Sequence, residues 1–181
     1  MVRHMRLHLA TSLTIATALA LSASSVAPDT ADDVFAHVKA EAAQGHKHVL
    51  LVFSNSYCPY CKLYERFLED PQMKPITEKA FVIQRIDMDN TPGALRLRTA
   101  LGAVQEPGFP FLVMTDQNGK PIINSYRNAD TNSNIGYPAL PVEIDWYIKM
   151  LKRAAPALSE NDLVTTRAWL QAHAPSALSP R

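Results

Sequence analysis

A chain of 181 residues is long enough for one domain with a sizeable core. Apolar residues make up 47% of it and charged residues 19%, a globular balance that excludes a disordered chain. A formal charge of +1 gives no reason to expect nucleic acid or an acidic membrane surface as partner.

Arg3 and Arg6 form a positive start, and Leu9 to Leu21 is apolar or small and free of charge. Small residues crowd between Ser22 and Ala27, so residues 1–27 read as a secretory signal cleaved between 22 and 27. A cut after Ala27 would leave Pro28 first, which favours a slightly earlier site. An uncleaved membrane anchor is the alternative, although the uncharged run is short beside the roughly 20 residues a span needs. Losing Arg3 and Arg6 takes the basic count from 18 to 16 against 17 acids, which leaves the exported form at −1.

Val34, Phe35, Val38 and Ala42 then share one face of a helix that Asp29 or Thr30 can cap and Gly45 stops. His48 to Phe53 is a continuous apolar run of strand length, the pattern of a strand covered on both faces. After "SYCPYC", Leu63, Phe67 and Leu68 stand at helical spacing ahead of Pro71. Ala80 to Asp89 reads as a second buried strand, followed by a short helix from near Pro92 to Gly102. Asn118-Gly119 then divides two strands as a hairpin. A polar loop with prolines occupies 128–140 before Pro141 opens a helix carrying Trp146, Met150 and Leu151. Ser159 with Asp162 has the spacing of a capping box for a last helix through Ala172, ahead of a short tail. The two tryptophans read as packing aromatics.

A βαβ unit followed by a hairpin and a helix implies an α/β fold, with a mixed sheet and helices on both faces. That order puts Cys58 just beyond a strand's carboxyl end, at the first turn of a helix. Free N–H groups and the positive end of the helix dipole favour a thiolate there. Cys61 sits one turn on, where it can attack a mixed disulfide formed at Cys58. Pro59 suits the first turn between them.

Cys58 and Cys61 are the only cysteines. A disulfide closing so short a loop removes little unfolded-state entropy, so the pair reads as chemical rather than structural. An inert disulfide and half of a metal site remain the alternatives. Zinc wants four ligands, and His46 and His48 lie ahead of the strand, pointing away from its far end. Iron–sulfur binding lacks thiols. The histidines are assigned no role, no metal ligand is named, and no cofactor is required.

From Val34 to Leu151 the chain resembles the thioredoxin superfamily. "VLLVFSNSYCPYCK" is similar to that family's strand and active-site segment, with Tyr57 where an aromatic commonly precedes the first cysteine. "GFPF" resembles the loop carrying the family's cis-proline, here Pro110. The resemblance implies a thioredoxin fold: a mixed sheet of about four strands with helices on both faces. Residues 30–155 would be the thioredoxin-like domain, and 156–181 a C-terminal helical extension and tail. It also implies that Cys58 is the nucleophile and Cys61 the resolving thiol. Tyr57, Pro59 and Tyr60 would shape the rim, and Phe109 and Pro110 would offer backbone to a substrate chain.

A signal ahead of "FLEDPQMKPITEKAFVIQRIDMD" looks most like exported bacterial thioredoxin-like proteins. The expected function is therefore periplasmic thiol–disulfide exchange on cysteine-containing exported proteins. The absence of a large inserted helical domain or a dimerisation domain favours the reducing direction, which needs a membrane electron donor. The alternatives are a binding or chaperone-like module with an incidental disulfide, or a redox-linked metal carrier. Oligomeric state is left open.

Several positions depart from the family. "CPYC" is the tetrapeptide usual in glutaredoxins, but the "TVP" and Gly-Gly-Asp signatures that accompany glutathione binding are absent. Val52 stands where thioredoxins bury an aspartate, and Arg66 where they kink a helix with proline. Arg85 stands near where a basic residue flanks that aspartate. Glu65 and Glu69 read as solvated charges rather than as a substitute acid.

Overall fold

A computed structural model describes residues 29–104, 108–128 and 133–175. The candidate signal segment lies outside the described residues, as does most of the short tail. Ten elements follow one another: α1 (Ala31–Gln44), β1 (His48–Ser54), α2 (Pro59–Glu69), α3 (Lys74–Ala80), β2 (Phe81–Asp87), α4 (Ala94–Ala100), β3 (Phe111–Thr115), β4 (Pro121–Asn124), α5 (Pro141–Ala154) and α6 (Glu160–Ala172). The four-stranded sheet has the order β2-β1-β3-β4, with β1 parallel to β2 and antiparallel to β3. β3 and β4 pair antiparallel around Gly119, whose positive φ of 86° suits the hairpin turn. The fold is thioredoxin-like, with a mixed sheet between two layers of helices.

The continuous apolar runs of β1 and β3 are explained by that sandwich. Because side chains alternate across a strand, Leu50, Val52, Leu112 and Met114 enter one core with α2, α3, α5 and α6. Val49, Leu51, Phe53, Phe111 and Val113 enter the other, against α1 and α4. Burying each such side chain contributes on the order of 1.5–3 kcal/mol, so neither face of β1 tolerates a charge.

Helix ends follow local chemistry. Thr30 caps α1, its hydroxyl accepting the Asp33 N–H while Asp33 accepts the Thr30 N–H at 3.0 Å. Ser159 and Asp162 do the same for α6. That helix places Leu163, Trp169 and Leu170 in the core of the α2 face, with Trp169 5.3 Å from the Phe67 ring. Residues 156–172 thus share a core with the sheet.

One element was not anticipated. α3 occupies seven residues ahead of β2, and Ala80 closes it rather than opening the strand. Its two prolines, Pro71 just before it and Pro75 in its first turn, disguise a helix too short to show periodicity. β2 accordingly runs only to Asp87, because the Asp87 side chain turns the chain by accepting the Asn90 amide and the Asp89 N–H. Among the described residues no helix is long and apolar enough to cross a membrane.

Candidate active site

β1 ends at Ser54, and the next three residues form a turn held from two sides. The Asn55 side chain accepts the Tyr57 N–H at 2.9 Å, an Asx turn that bends the chain toward α2. Asp89, just past β2, accepts the Asn55 amide at 2.9 Å and the Ser56 N–H at 3.2 Å. The turn is therefore tied to the neighbouring strand, and Cys58 emerges from it at a fixed place.

Cys58 is the N-cap of α2, with Pro59 at the first helical position. Its Sγ accepts the Cys61 N–H at 3.2 Å and donates to the Phe109 carbonyl at 3.5 Å. Both cysteines are free thiols. Cys58 is half-buried, whereas Cys61 is only 2% exposed. Burial pushes the Cys61 thiol up from 9.0 to about 12. Its hydrogen bond with Cys58 adds to this, a backbone hydrogen bond from Asn55 opposes it, and the charges of Cys58 and Glu65 push the same way as burial.

The rim residues differ in kind. Tyr57 is 88% exposed and Tyr60 40%, so the tetrapeptide carries two aromatic side chains into solvent. Pro59 is exposed beside them. Across from Cys58 the Phe109–Pro110 peptide bond is cis, Pro110 is buried and Phe109 half-buried. The structure thus gathers Cys58, Cys61 and Phe109 around one sulfur, with Tyr60 nearby across a cavity that also touches Phe109. Tyr57 points away into solvent and is joined to the group only through its backbone.

Beneath the dithiol Val52 is 2% exposed and pairs in register with Arg85 on β2. Arg85 forms an ion pair with Glu65 of α2 at 2.8 Å. Both line a polar trough of about 240 Å³ together with Asn55, Ser56, Lys62 and Asp87. Glu65 is thus paired with Arg85 rather than freely solvated, and its negative charge adds a minor upward push to the Cys61 thiol. Glu69 is exposed.

Three other residues shape the site without any sequence signal. Asn134, within the polar loop, donates to the Gly108 and Pro110 carbonyls at 3.3 and 3.0 Å. Its own carbonyl accepts the Ser125 hydroxyl at 2.6 Å, while Ser125 Oγ accepts the Leu112 N–H at 2.9 Å. Arg98 of α4 is buried with its guanidinium 5.7 Å from the Phe109 ring centre. Asp89, described above, is the third. A loop asparagine, an aspartate after a strand and an arginine within a helix are common, so only the folded contacts reveal them. His48 lies 2.7 Å through Nδ1 from the Ala154 carbonyl at the end of α5. Among the described residues no group of three or more His, Cys, Asp or Glu side chains could hold a metal ion.

A family described as thioredoxin-like matches residues 30–117. No curated protein matches this chain. Among solved structures, a disulphide isomerase from Xylella fastidiosa Temecula1 is 22% identical with a TM-score of 0.53, covering 72% of this chain and 98% of its own. A thioredoxin from Thermus thermophilus is 19% identical with a TM-score of 0.46, covering 65% of this chain and 81% of its own. The oxidised C-terminal domain of DsbD from Neisseria meningitidis is 20% identical with a TM-score of 0.43, covering 65% and 93%. The first of these likenesses supports the fold; function has to come from the site.

Proposed function

The chain carries a thioredoxin-like domain, and on that premise we propose that it is a thiol–disulfide oxidoreductase acting on protein cysteines. The observation that carries this reading is the inequality of the two thiols. Cys58 is half-exposed at a helix N-cap, whereas Cys61 is buried one turn behind with its proton held tightly.

In the proposed cycle the Cys58 thiolate attacks one sulfur of a substrate disulfide. That S–S bond breaks, a Cys58–substrate disulfide forms, and the released substrate thiolate takes a proton. Cys61 then gives up its proton and attacks Cys58 Sγ. The mixed disulfide breaks, the second substrate thiol leaves, and the pair ends as a Cys58–Cys61 disulfide two electrons more oxidised. The Phe109 backbone, 3.5 Å from Cys58 Sγ, lies where a substrate strand would pair.

The finer reading is export and reduction. The sequence signal at residues 1–27 supports a periplasmic location, with cysteine-containing exported proteins as substrates and a membrane protein as electron donor. Insulin reduction driven by a small dithiol tests the chemistry. Wild type is expected to be active and Cys58→Ser dead; equal residual activity in both overturns the reading. Cys61→Ser in the native compartment is expected to accumulate mixed disulfides through Cys58, and the captured proteins report location and substrate together.

A further inference from the structure

Beside the dithiol lies a cavity of about 270 Å³ whose wall is formed by Tyr60, Phe109, Asn134, Tyr137, Leu140 and Glu143. Its far side is the segment 133–140, which a thioredoxin-like scaffold does not need for chemistry. That segment is fastened to the loop bearing Pro110. Asn134 bonds the carbonyls on either side of Phe109, and Gly136, at a φ of 55°, brings the chain so close that a Cβ there would stand 3.5 Å from the Phe109 carbonyl. The same carbonyl touches Cys58 Sγ. Cavity and sulfur therefore flank one peptide unit.

Glu143 is the one charged side chain in this wall. Its Oε2 accepts the Ala139 and Leu140 N–H groups at 3.0 and 2.9 Å, which fixes the carboxylate at the start of α5. Among the described residues no cation pairs with it. Tyr60, 40% exposed, adds aromatic surface, while Tyr137 backs the wall from the core with its hydroxyl spent on the His173 carbonyl. A half-buried, oriented carboxylate at the end of an aromatic and aliphatic wall complements a long basic side chain. The methylene stem covers the apolar part while the cation meets the charge. The volume falls below the range of about 300–1,000 Å³ usual for small-molecule sites, so it suits one side chain rather than a whole ligand.

The geometry points to a specificity pocket: Glu143 and Tyr60 select a substrate polypeptide with lysine or arginine within two residues of the reacting cysteine. This rests on the oxidoreductase reading. A strand advances about 3.3 Å per residue, so a chain paired over Phe109 reaches from the sulfur to the cavity in one or two steps.

The test uses the full-length reduced protein and three disulfide peptides that differ at one position beside the cysteine: arginine, leucine or glutamate. Their rates of reduction are measured at low ionic strength. Arginine is expected to exceed leucine by about five-fold, the yield of one partly exposed ion pair with aromatic support, and glutamate to be slowest. Added salt should narrow the spread. Glu143→Gln keeps an oxygen for the two N–H groups while removing the charge, and is expected to bring the arginine-to-leucine ratio near one. Equal rates for all three peptides, or leucine ahead of arginine, overturn the pocket while leaving the oxidoreductase reading intact. No reduction of any peptide, with wild type matching Cys58→Ser, overturns that reading instead. The wild-type series decides the matter even if the variant fails to fold.

Discussion

The buried thiol of Cys61 makes the folded protein sensitive to alkali in a calculable way. Its pKa is held at about 12 against 9.0 for a free thiol, so the folded state keeps a proton that the unfolded chain gives up. For an acid whose pKa is raised by folding, the stabilisation is complete below 9.0 and is lost as pH climbs toward about 12. One pH unit above the unfolded value the unfolded chain is about nine-tenths ionised there and the folded protein hardly at all. The reduced protein then loses about 1.4 kcal/mol relative to neutral pH from this group alone.

Cys61→Ser isolates that contribution, because serine does not titrate in this range and keeps a hydroxyl for the bond with Cys58. Urea unfolding of both proteins, held reduced, is compared at about pH 7 and about pH 10. Every other titrating group that is unaffected by the substitution cancels in the difference of differences. Wild type is expected to lose about 1.4 kcal/mol more than the variant, which moves its midpoint by roughly 0.5–1 M urea. Parallel losses in the two proteins would refute the argument that burial keeps Cys61 protonated. With it would fall the division of labour in which Cys61 waits until Cys58 is engaged.

Glu65→Gln removes a negative charge that raises the Cys61 pKa, so ultraviolet titration of the thiolate should show the Cys61 midpoint shifted downward. An unmoved or raised midpoint would remove Glu65 from the site. Stability should change by less than about 1 kcal/mol, since the pair with Arg85 is partly exposed. Tyr64 and Tyr147 are fully buried, with their hydroxyls 2.9 Å apart. Tyr147→Phe orphans the Tyr64 hydroxyl and should cost about 1–3 kcal/mol in denaturant melts, and the double substitution to phenylalanine should cost less than the single one. A double variant weaker than either single one would refute the pairing.

Much of the fold was legible because its strongest signals are local. The apolar run of β1 reads as a strand covered on both faces, and the two cores on either side of Phe53 and Val52 are what covers it. Ser159 and Asp162 announced their cap by spacing alone, and the bonds are present. Seven residues with a proline in the first turn gave α3 no room for periodicity. The cysteine pair could be read from two neighbours in sequence; what surrounds it could not. Asn134 reaches back 24 residues to the Pro110 carbonyl, and Asp89 reaches 34 residues to the Asn55 amide. A polar loop residue has no pattern to show which distant carbonyl it will satisfy. The polar loop at 128–140 gives no hint in its sequence that its described part walls the space beside Phe109 and Tyr60.

Val52 is the position where sequence reasoning found a missing acid, and the surroundings give that absence a physical meaning. A carboxylate at a site 2% exposed would have to lose most of its hydration, at a cost of several kcal/mol unless fully paired. Valine avoids that cost and adds apolar burial. The charge instead sits on α2, where Glu65 stays partly hydrated, pairs with Arg85 and still influences Cys61. Glu65 lines a polar trough with Lys62, Arg85 and Asp87, whereas the Val52 position is apolar core. Before Cys58 is engaged, the same negative charge helps keep Cys61 protonated. Once the mixed disulfide removes the Cys58 thiol, its hydrogen bond and charge no longer raise the Cys61 pKa. Proton release is then eased at the moment the resolving attack is required. With valine in the core and the glutamate on α2, the order of the two thiols is set chiefly by the burial of Cys61.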